Sequence, residues 1–80
     1  SIAFKLGLLA SGGCDFVVSL RPKNVWDIAA GFLLCKERGM VFFENGKEIN
    51  ELEIRLYNPP LYWGPAHIKE IVSKEYQVEL

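Results

Sequence analysis

The residues best suited to chemistry lie in the run 26–31, Trp-Asp-Ile-Ala-Ala-Gly, which sets one carboxylate, Asp27, among small and apolar side chains. Asn24 and Val25 lead into this run from a proline-containing segment, residues 21–23, so we expect Asp27 at a junction between a loop and a helix. The first N–H groups of a helix lack intrahelical partners and carry a positive partial charge, which suits a carboxylate or a bound anion. The structural alternative is that Asp27 caps the helix and Trp26 anchors it by packing.

The other groups capable of chemistry are scattered along the sequence. His67 has no visible partner, and we expect it at the surface rather than in a catalytic role. Cys14 and Cys35 show neither a CxxC pattern nor a histidine at ligand spacing, so we expect two small buried hydrophobic side chains and no disulfide. Free cysteines of this kind fit a cytoplasmic location.

Length and composition predict one small domain over residues 1–80, with half of the residues hydrophobic and a net charge of −1. The nine basic residues are dispersed, which argues against nucleic acid as a partner. No apolar run approaches the roughly 20 residues of a membrane span, so no membrane partner is expected. The apolar pattern of residues 2–10 has almost no polar face and needs cover on all sides. We therefore expect the chain to be a piece of a longer protein.

Helical and extended patterns alternate along the chain. They predict helices over residues 1–9, 27–38 and 65–76, and strands over residues 15–20, 40–43, 47–49 and 61–63. An unbroken apolar run at residues 16–18 predicts a strand that is central in its sheet. The dipeptide Asn45–Gly46 predicts a hairpin turn, and Gly39 predicts a helix end. This order of elements indicates an α/β or α+β layered fold.

Residues 1–39 resemble the C-terminal half of the inositol monophosphatase family of metal-dependent phosphatases. In that family a Gly-Ser/Thr pair opens a buried helix, a strand begins near an Asp, and a Trp-Asp-x-Ala-Ala-Gly run supplies the last metal-binding carboxylate. Ser1, Asp15 and Asp27 take these positions here. Residues 61–72 match only a looser pattern of strand and then helix. The resemblance implies a mixed sheet flanked by helices, the C-terminal half of an αβαβα sugar-phosphatase-like fold.

The family hydrolyses phosphate monoesters with Mg²⁺ ions held by several carboxylates, most of them from its N-terminal half. That half carries a Glu and an Asp-Pro-x-Asp-Gly-Thr run, and neither motif occurs here. The resemblance therefore implies that Asp27 completes a Mg²⁺ site, that the chain alone is inactive, and that its partners are the N-terminal half and a small phosphorylated substrate. Relatives are often dimers, so a homodimer is a further expected partner. Ser1 is expected near the substrate, although it would equally serve as the cap of its helix.

The substrate is less well defined by the resemblance. Members specific for inositol phosphates carry a Glu where this chain has Ser19, a second candidate substrate contact. The segment Arg21-Pro22-Lys23-Asn24 looks closer to relatives that act on 3′-phosphoadenosine 5′-phosphate, and fructose 1,6-bisphosphate stays open. Arg21 or Lys23 would contact a second phosphate or remain solvated. The alternative, from a different functional class, is an α/β module that serves in binding or assembly and performs no catalysis.

Overall fold

Three helices and six short strands make up residues 2–80, the part of the chain that this computed structural model describes, with the side chain of Ala3 left out. The helices are α1 (Ile2–Ala10), α2 (Val25–Glu37) and α3 (Ala66–Tyr76). The strands are β1 (Val17–Ser19), β2 (Lys23–Asn24), β3 (Val41–Glu44), β4 (Lys47–Glu48), β5 (Leu56–Tyr57) and β6 (Leu61–Gly64). Within these residues, none of the helices has both the length and the apolar character needed to cross a membrane.

The main sheet has four strands in the order β1-β6-β3-β4, and β2 pairs separately with β5. Every strand pairing among the described residues is antiparallel, so the parallel pairs that a mixed sheet would contain do not occur there. The two interior strands are β3 and β6, and all four residues of β6 are buried. The sequence predicted this segment only as a short final strand.

Helices cover the sheet on both faces, which confirms the α+β layered class. α1 and α2 pack on one face, where Leu61 and Trp63 of β6 join the larger hydrophobic cluster. Tyr62, which points to the opposite face, packs with Val72 of α3 and with Leu80. The ring of Trp63 stacks on Phe42 of β3 with centroids 4.6 Å apart. Because successive side chains of a strand point to opposite faces, β6 contributes to both hydrophobic clusters.

The prediction that residues 15–20 form a central strand is wrong. The strand is limited to Val17–Ser19 and lies at the edge of the main sheet. Its apolar run has a different cause: Val17 faces the core under α1 and α2, while Phe16 and Val18 pack against the cluster under α3. Helices cover both faces of the strand, but only one of its edges is paired with another strand.

The predicted turn signals are confirmed. Asn45 and Gly46 adopt φ angles of 48° and 86° between β3 and β4, the conformation of a tight hairpin turn. Gly39, with φ 76°, follows the end of α2, and its N–H donates to the carbonyl of Lys36 at 3.0 Å. Pro65 is the N-cap of α3 rather than its first residue.

Candidate functional site

The start of α2 is held by main-chain pairing on one side and by a side-chain cap on the other. Lys23 and Asn24 of β2 pair with Tyr57 and Leu56 of β5. The N–H of Val25 then donates to the carbonyl of Arg55 at 3.2 Å. The side-chain oxygen of Asn24 accepts from the N–H of Trp26 at 3.1 Å, which makes Asn24 the N-cap. The loop-to-helix junction predicted from the sequence is thus confirmed, with α2 beginning two residues earlier than expected.

Asp27 lies in the first turn of α2 as an exposed residue. Among the described residues its carboxylate makes no hydrogen bond and no ion pair. The interpretation of Asp27 as the helix cap is wrong, because Asn24 has that role. The interpretation of Trp26 as a packing anchor is also wrong, since 72% of its surface is exposed. The fold therefore uses neither side chain in the way that the structural alternative required.

α1 and α2 approach closely at Gly31, the last residue of the run that contains Asp27. A Cβ atom placed on Gly31 would lie 2.6 Å from Cδ1 of Leu6, a separation that carbon atoms do not tolerate. One turn further along α2, the thiol of Cys35 approaches the carbonyl oxygen of Leu6 at 3.8 Å. Burial raises the pKa of that thiol to about 11, so it stays protonated near neutrality. The close approach of α1 and α2 therefore requires glycine at position 31, where any side chain would collide with Leu6.

The two helices begin at the same end of the molecule. β1 and β3 both run antiparallel to β6 and therefore share one direction. α1 leads into β1 and α2 into β3 by short connections, and each helix packs against the strand it leads into. Each helix consequently runs opposite to its strand, so α1 and α2 are parallel to each other. The positive N-terminal ends of both helices therefore lie at the end of the molecule where β1 and β3 finish.

The other residues predicted to contact the substrate are Ser1 and Ser19, together with the loop cations Arg21 and Lys23. Ser19 ends β1 on this side of the molecule, but it is 9% exposed, and its hydroxyl donates to the carbonyl of Arg21 at 2.9 Å. The same oxygen accepts from the N–H of Arg21 at 3.3 Å, so the hydroxyl is occupied by a local turn. Ser1 lies outside the described residues. Arg21 is exposed and Lys23 half-buried, and neither forms an ion pair among the described residues.

The described residues do not assemble a metal site by themselves. Nowhere within residues 2–80 do three or more His, Cys, Asp or Glu side chains cluster in a way that could hold an ion. Mg²⁺ takes six oxygen ligands and usually keeps several as water, and one carboxylate does not hold it firmly. Asp27 fits as a single ligand of a site whose other ligands lie elsewhere, and it does not fit as a complete site. Asp15 and His67 are exposed as well and belong to no such cluster.

A second carboxylate near this end is fully occupied, and sequence analysis missed it. Glu44, the last residue of β3, accepts two hydrogen bonds from the Arg55 guanidinium, at 2.8 and 2.9 Å, and one from the N–H of Asn58 at 2.9 Å. These donors hold the pKa of Glu44 below its usual range. The guanidinium also lies over the ring of Tyr57, 3.9 Å from its centroid. No local sequence signal links positions 11 residues apart in this way.

Comparisons of the chain with protein-family models, with curated proteins and with solved structures found no match.

Proposed function

We propose that this chain is the C-terminal half of a Mg²⁺-dependent phosphomonoesterase of the inositol monophosphatase type, in which Asp27 supplies one metal ligand. The proposal rests on the state of the Asp27 carboxylate, which is exposed in the first turn of α2 and unpartnered among the described residues. A carboxylate that the fold leaves unused is available to a ligand. Its neighbour Trp26, largely exposed, is then explained as a residue that the N-terminal half covers.

The electrostatics of this end of the molecule support an anionic substrate. The N-termini of α1 and α2 both lie at this end, and each contributes a positive partial charge. Lys23 lies two residues before α2, and Arg21 lies two residues after β1. Mg²⁺, held by Asp27 together with carboxylates of the N-terminal half, would supply charge neutralisation for the phosphoryl group. The part played by this chain is to fix the position of Asp27 through Asn24 and the β2–β5 pair.

The substrate class follows from the same residues. An inositol phosphate or a related phosphate ester needs one anion site, which the helix ends provide. A bisphosphate such as 3′-phosphoadenosine 5′-phosphate needs a second anion site, and we propose Arg21 and Lys23 as the cations that would form it. We propose inositol phosphate or a related monoester as the substrate, with 3′-phosphoadenosine 5′-phosphate as the alternative.

The test starts with the protein encoded by the whole reading frame, which we expect to contain the Asp-Pro-x-Asp-Gly-Thr run upstream of this chain. Phosphate release with Mg²⁺ is measured on inositol 1-phosphate, 3′-phosphoadenosine 5′-phosphate and fructose 1,6-bisphosphate. Asp27→Asn keeps the size and polarity of the side chain but removes its charge. Outer-shell changes at metal sites cost about 10–100-fold, so loss of a direct ligand should lower kcat/KM by about 100-fold or more.

The matched control is Glu37→Gln, an exposed carboxylate at the far end of the same helix, which we expect to leave turnover unchanged. Arg21→Ala then separates the substrates, because it should weaken only the hydrolysis of a bisphosphate. Wild-type turnover in Asp27→Asn would refute the assignment. Absence of Mg²⁺-dependent turnover on every ester, in a protein without the upstream motif, would favour the non-catalytic module.

A further inference from the structure

The carbonyl group that receives the first N–H of α2 belongs to an irregular segment. Residues 49–55, between β4 and β5, form no helix or strand. The last of them, Arg55, accepts through its carbonyl from the N–H of Val25, one of the groups that a helix leaves without an intrahelical partner. Since no regular ladder of hydrogen bonds holds this segment, its position depends on side-chain contacts.

The side chain of Arg55 supplies such contacts. Its guanidinium donates to both carboxylate oxygens of Glu44, at 2.8 and 2.9 Å, in the two-point geometry that is strongest for this type of pair. Its Nε donates to Glu53 at 3.2 Å, and the guanidinium lies over the ring of Tyr57. Glu44 ends the interior strand β3, and its side chain is only 13% exposed. Arg55 therefore joins the main sheet through its side chain and α2 through its main chain.

The position of Asp27 depends on the same connection. Its carboxylate has no partner among the described residues, so only the backbone of the first turn of α2 determines where it lies. That backbone begins two residues earlier at Val25, which bonds to Arg55. The N-cap Asn24 pairs with Leu56, the residue after Arg55. The backbone around Arg55 is thus the immediate support of the turn that carries Asp27.

We propose that Glu44 and Arg55 are positioning residues for the metal ligand Asp27, because their pairing fixes the segment that receives the start of α2. This inference rests on the proposed function of Asp27. Neither residue touches the metal or the substrate in this role, and the oxygens of Glu44 are already occupied by Arg55 and by the N–H of Asn58. The pair determines where Asp27 meets Mg²⁺, while Asp27 alone supplies the charge.

The first measurement is the Mg²⁺ concentration that half-activates the protein encoded by the whole reading frame. Arg55→Met keeps the length of the side chain but removes the guanidinium. Partners that orient metal ligands contribute about 10–100-fold to metal affinity or activity, so this variant should raise the half-activating concentration about tenfold. Because Asp27 is displaced and not removed, kcat at saturating Mg²⁺ should stay within about threefold of the wild type. Arg55→Lys keeps the charge without the two-point geometry and should show a smaller shift.

Two control variants separate positioning from a general loss of stability. Arg38→Met makes the same chemical change at an exposed arginine that caps the other end of α2. Val72→Ala truncates a buried side chain of α3 on the opposite face of the main sheet, which destabilises the fold without touching the Arg55 segment. Both controls should keep the wild-type Mg²⁺ requirement. An equal shift in Val72→Ala and Arg55→Met would overturn the proposal.

A second measurement needs neither metal nor turnover. Hydrogen exchange of the amides of residues 25–27, followed in the whole protein without Mg²⁺, should be faster in Arg55→Met than in the wild type and unchanged in Val72→Ala. Unchanged exchange in Arg55→Met would overturn the positioning role. So would a wild-type Mg²⁺ requirement in Arg55→Met when turnover of the wild type depends on Mg²⁺. A wild type without Mg²⁺-dependent turnover would instead overturn the proposed function itself, and the role in metal binding with it.

Discussion

Glu44 and Asp27 are two carboxylates at the same end of the molecule, and the fold treats them in opposite ways. Glu44 accepts hydrogen bonds from Arg55 and from the backbone of Asn58. Asp27 accepts none among the described residues. Arg55 connects the two regions, because its guanidinium binds Glu44 while its carbonyl accepts from Val25 at the start of α2. The comparison separates a carboxylate that builds the fold from one that the fold positions and leaves available.

Removal of the occupied carboxylate should have the largest effect on stability. Hydrogen bonds to a charged group contribute about 1.5–3 kcal/mol, so Glu44→Ala should lower the free energy of unfolding by about 2–3 kcal/mol in urea denaturation. The control is Glu48→Ala on the adjacent strand, an exposed residue whose loss should change stability by less than about 0.5 kcal/mol. Similar losses in both variants would show that the Arg55 contacts contribute little.

The packing beneath Asp27 should be the next most sensitive feature. Gly31→Ala adds a Cβ where the side chain of Leu6 already lies, and overpacking of this kind costs about 1–3 kcal/mol. Gly7→Ala is a matched control in the neighbouring helix, because beyond the nearby backbone of its own helix no atom of the described residues lies within 4 Å of its added Cβ. Since alanine favours helix over glycine by about 0.5–1 kcal/mol, Gly7→Ala should be neutral or stabilising. Thermal denaturation of both variants measures the difference, and equal melting temperatures would contradict the close approach of α1 and α2.

The features that could be predicted from the sequence are those that depend on residues close together along the chain. The three helices, the turn at Asn45–Gly46 and the helix end at Gly39 each follow from a few adjacent residues. The order of strands does not, because burial on both faces looks the same in a sequence whether a strand is interior, as β6 is, or at an edge, as β1 is.

The candidate site was likewise predictable only in part. The position of Asp27 in a first helical turn was evident from the surrounding residues. Its lack of a partner among residues 2–80 was not evident, because both Asn24 and Asp27 are residue types that cap helices, and only the geometry distinguishes them. The Glu44–Arg55 pair joins a strand end to a distant loop, and such long-range contacts leave no periodic signal.

Acidification should weaken the Glu44 region by less than truncation does. The pKa of Glu44 in the folded protein lies below its ordinary value of 4.5, because Arg55 binds the charged form. Its contribution is therefore complete above about pH 4.5 and is lost as the pH falls through the lower, folded-state pKa. The difference in unfolding free energy between wild type and Glu44→Gln should shrink over that acidic range. A difference that stays constant there would mean that Glu44 does not titrate as a partner of Arg55.

Removal of the Asp27 charge should change the free energy of unfolding least among these variants. This variant gives the sharpest test of the contrast between Asp27 and Glu44. Asp27→Asn removes only the interaction of one exposed charge with the helix dipole, about 0.3–1 kcal/mol at low salt. Asn24→Ala, three residues away, removes the cap itself and should cost about 1 kcal/mol. The two variants should therefore differ in rank: Asn24→Ala should lower the melting temperature more, while under the proposed function Asp27→Asn should lower the turnover of the whole protein more. If Asp27→Asn destabilised the protein as much as Asn24→Ala does, Asp27 would be a structural residue and the distinction from Glu44 would disappear.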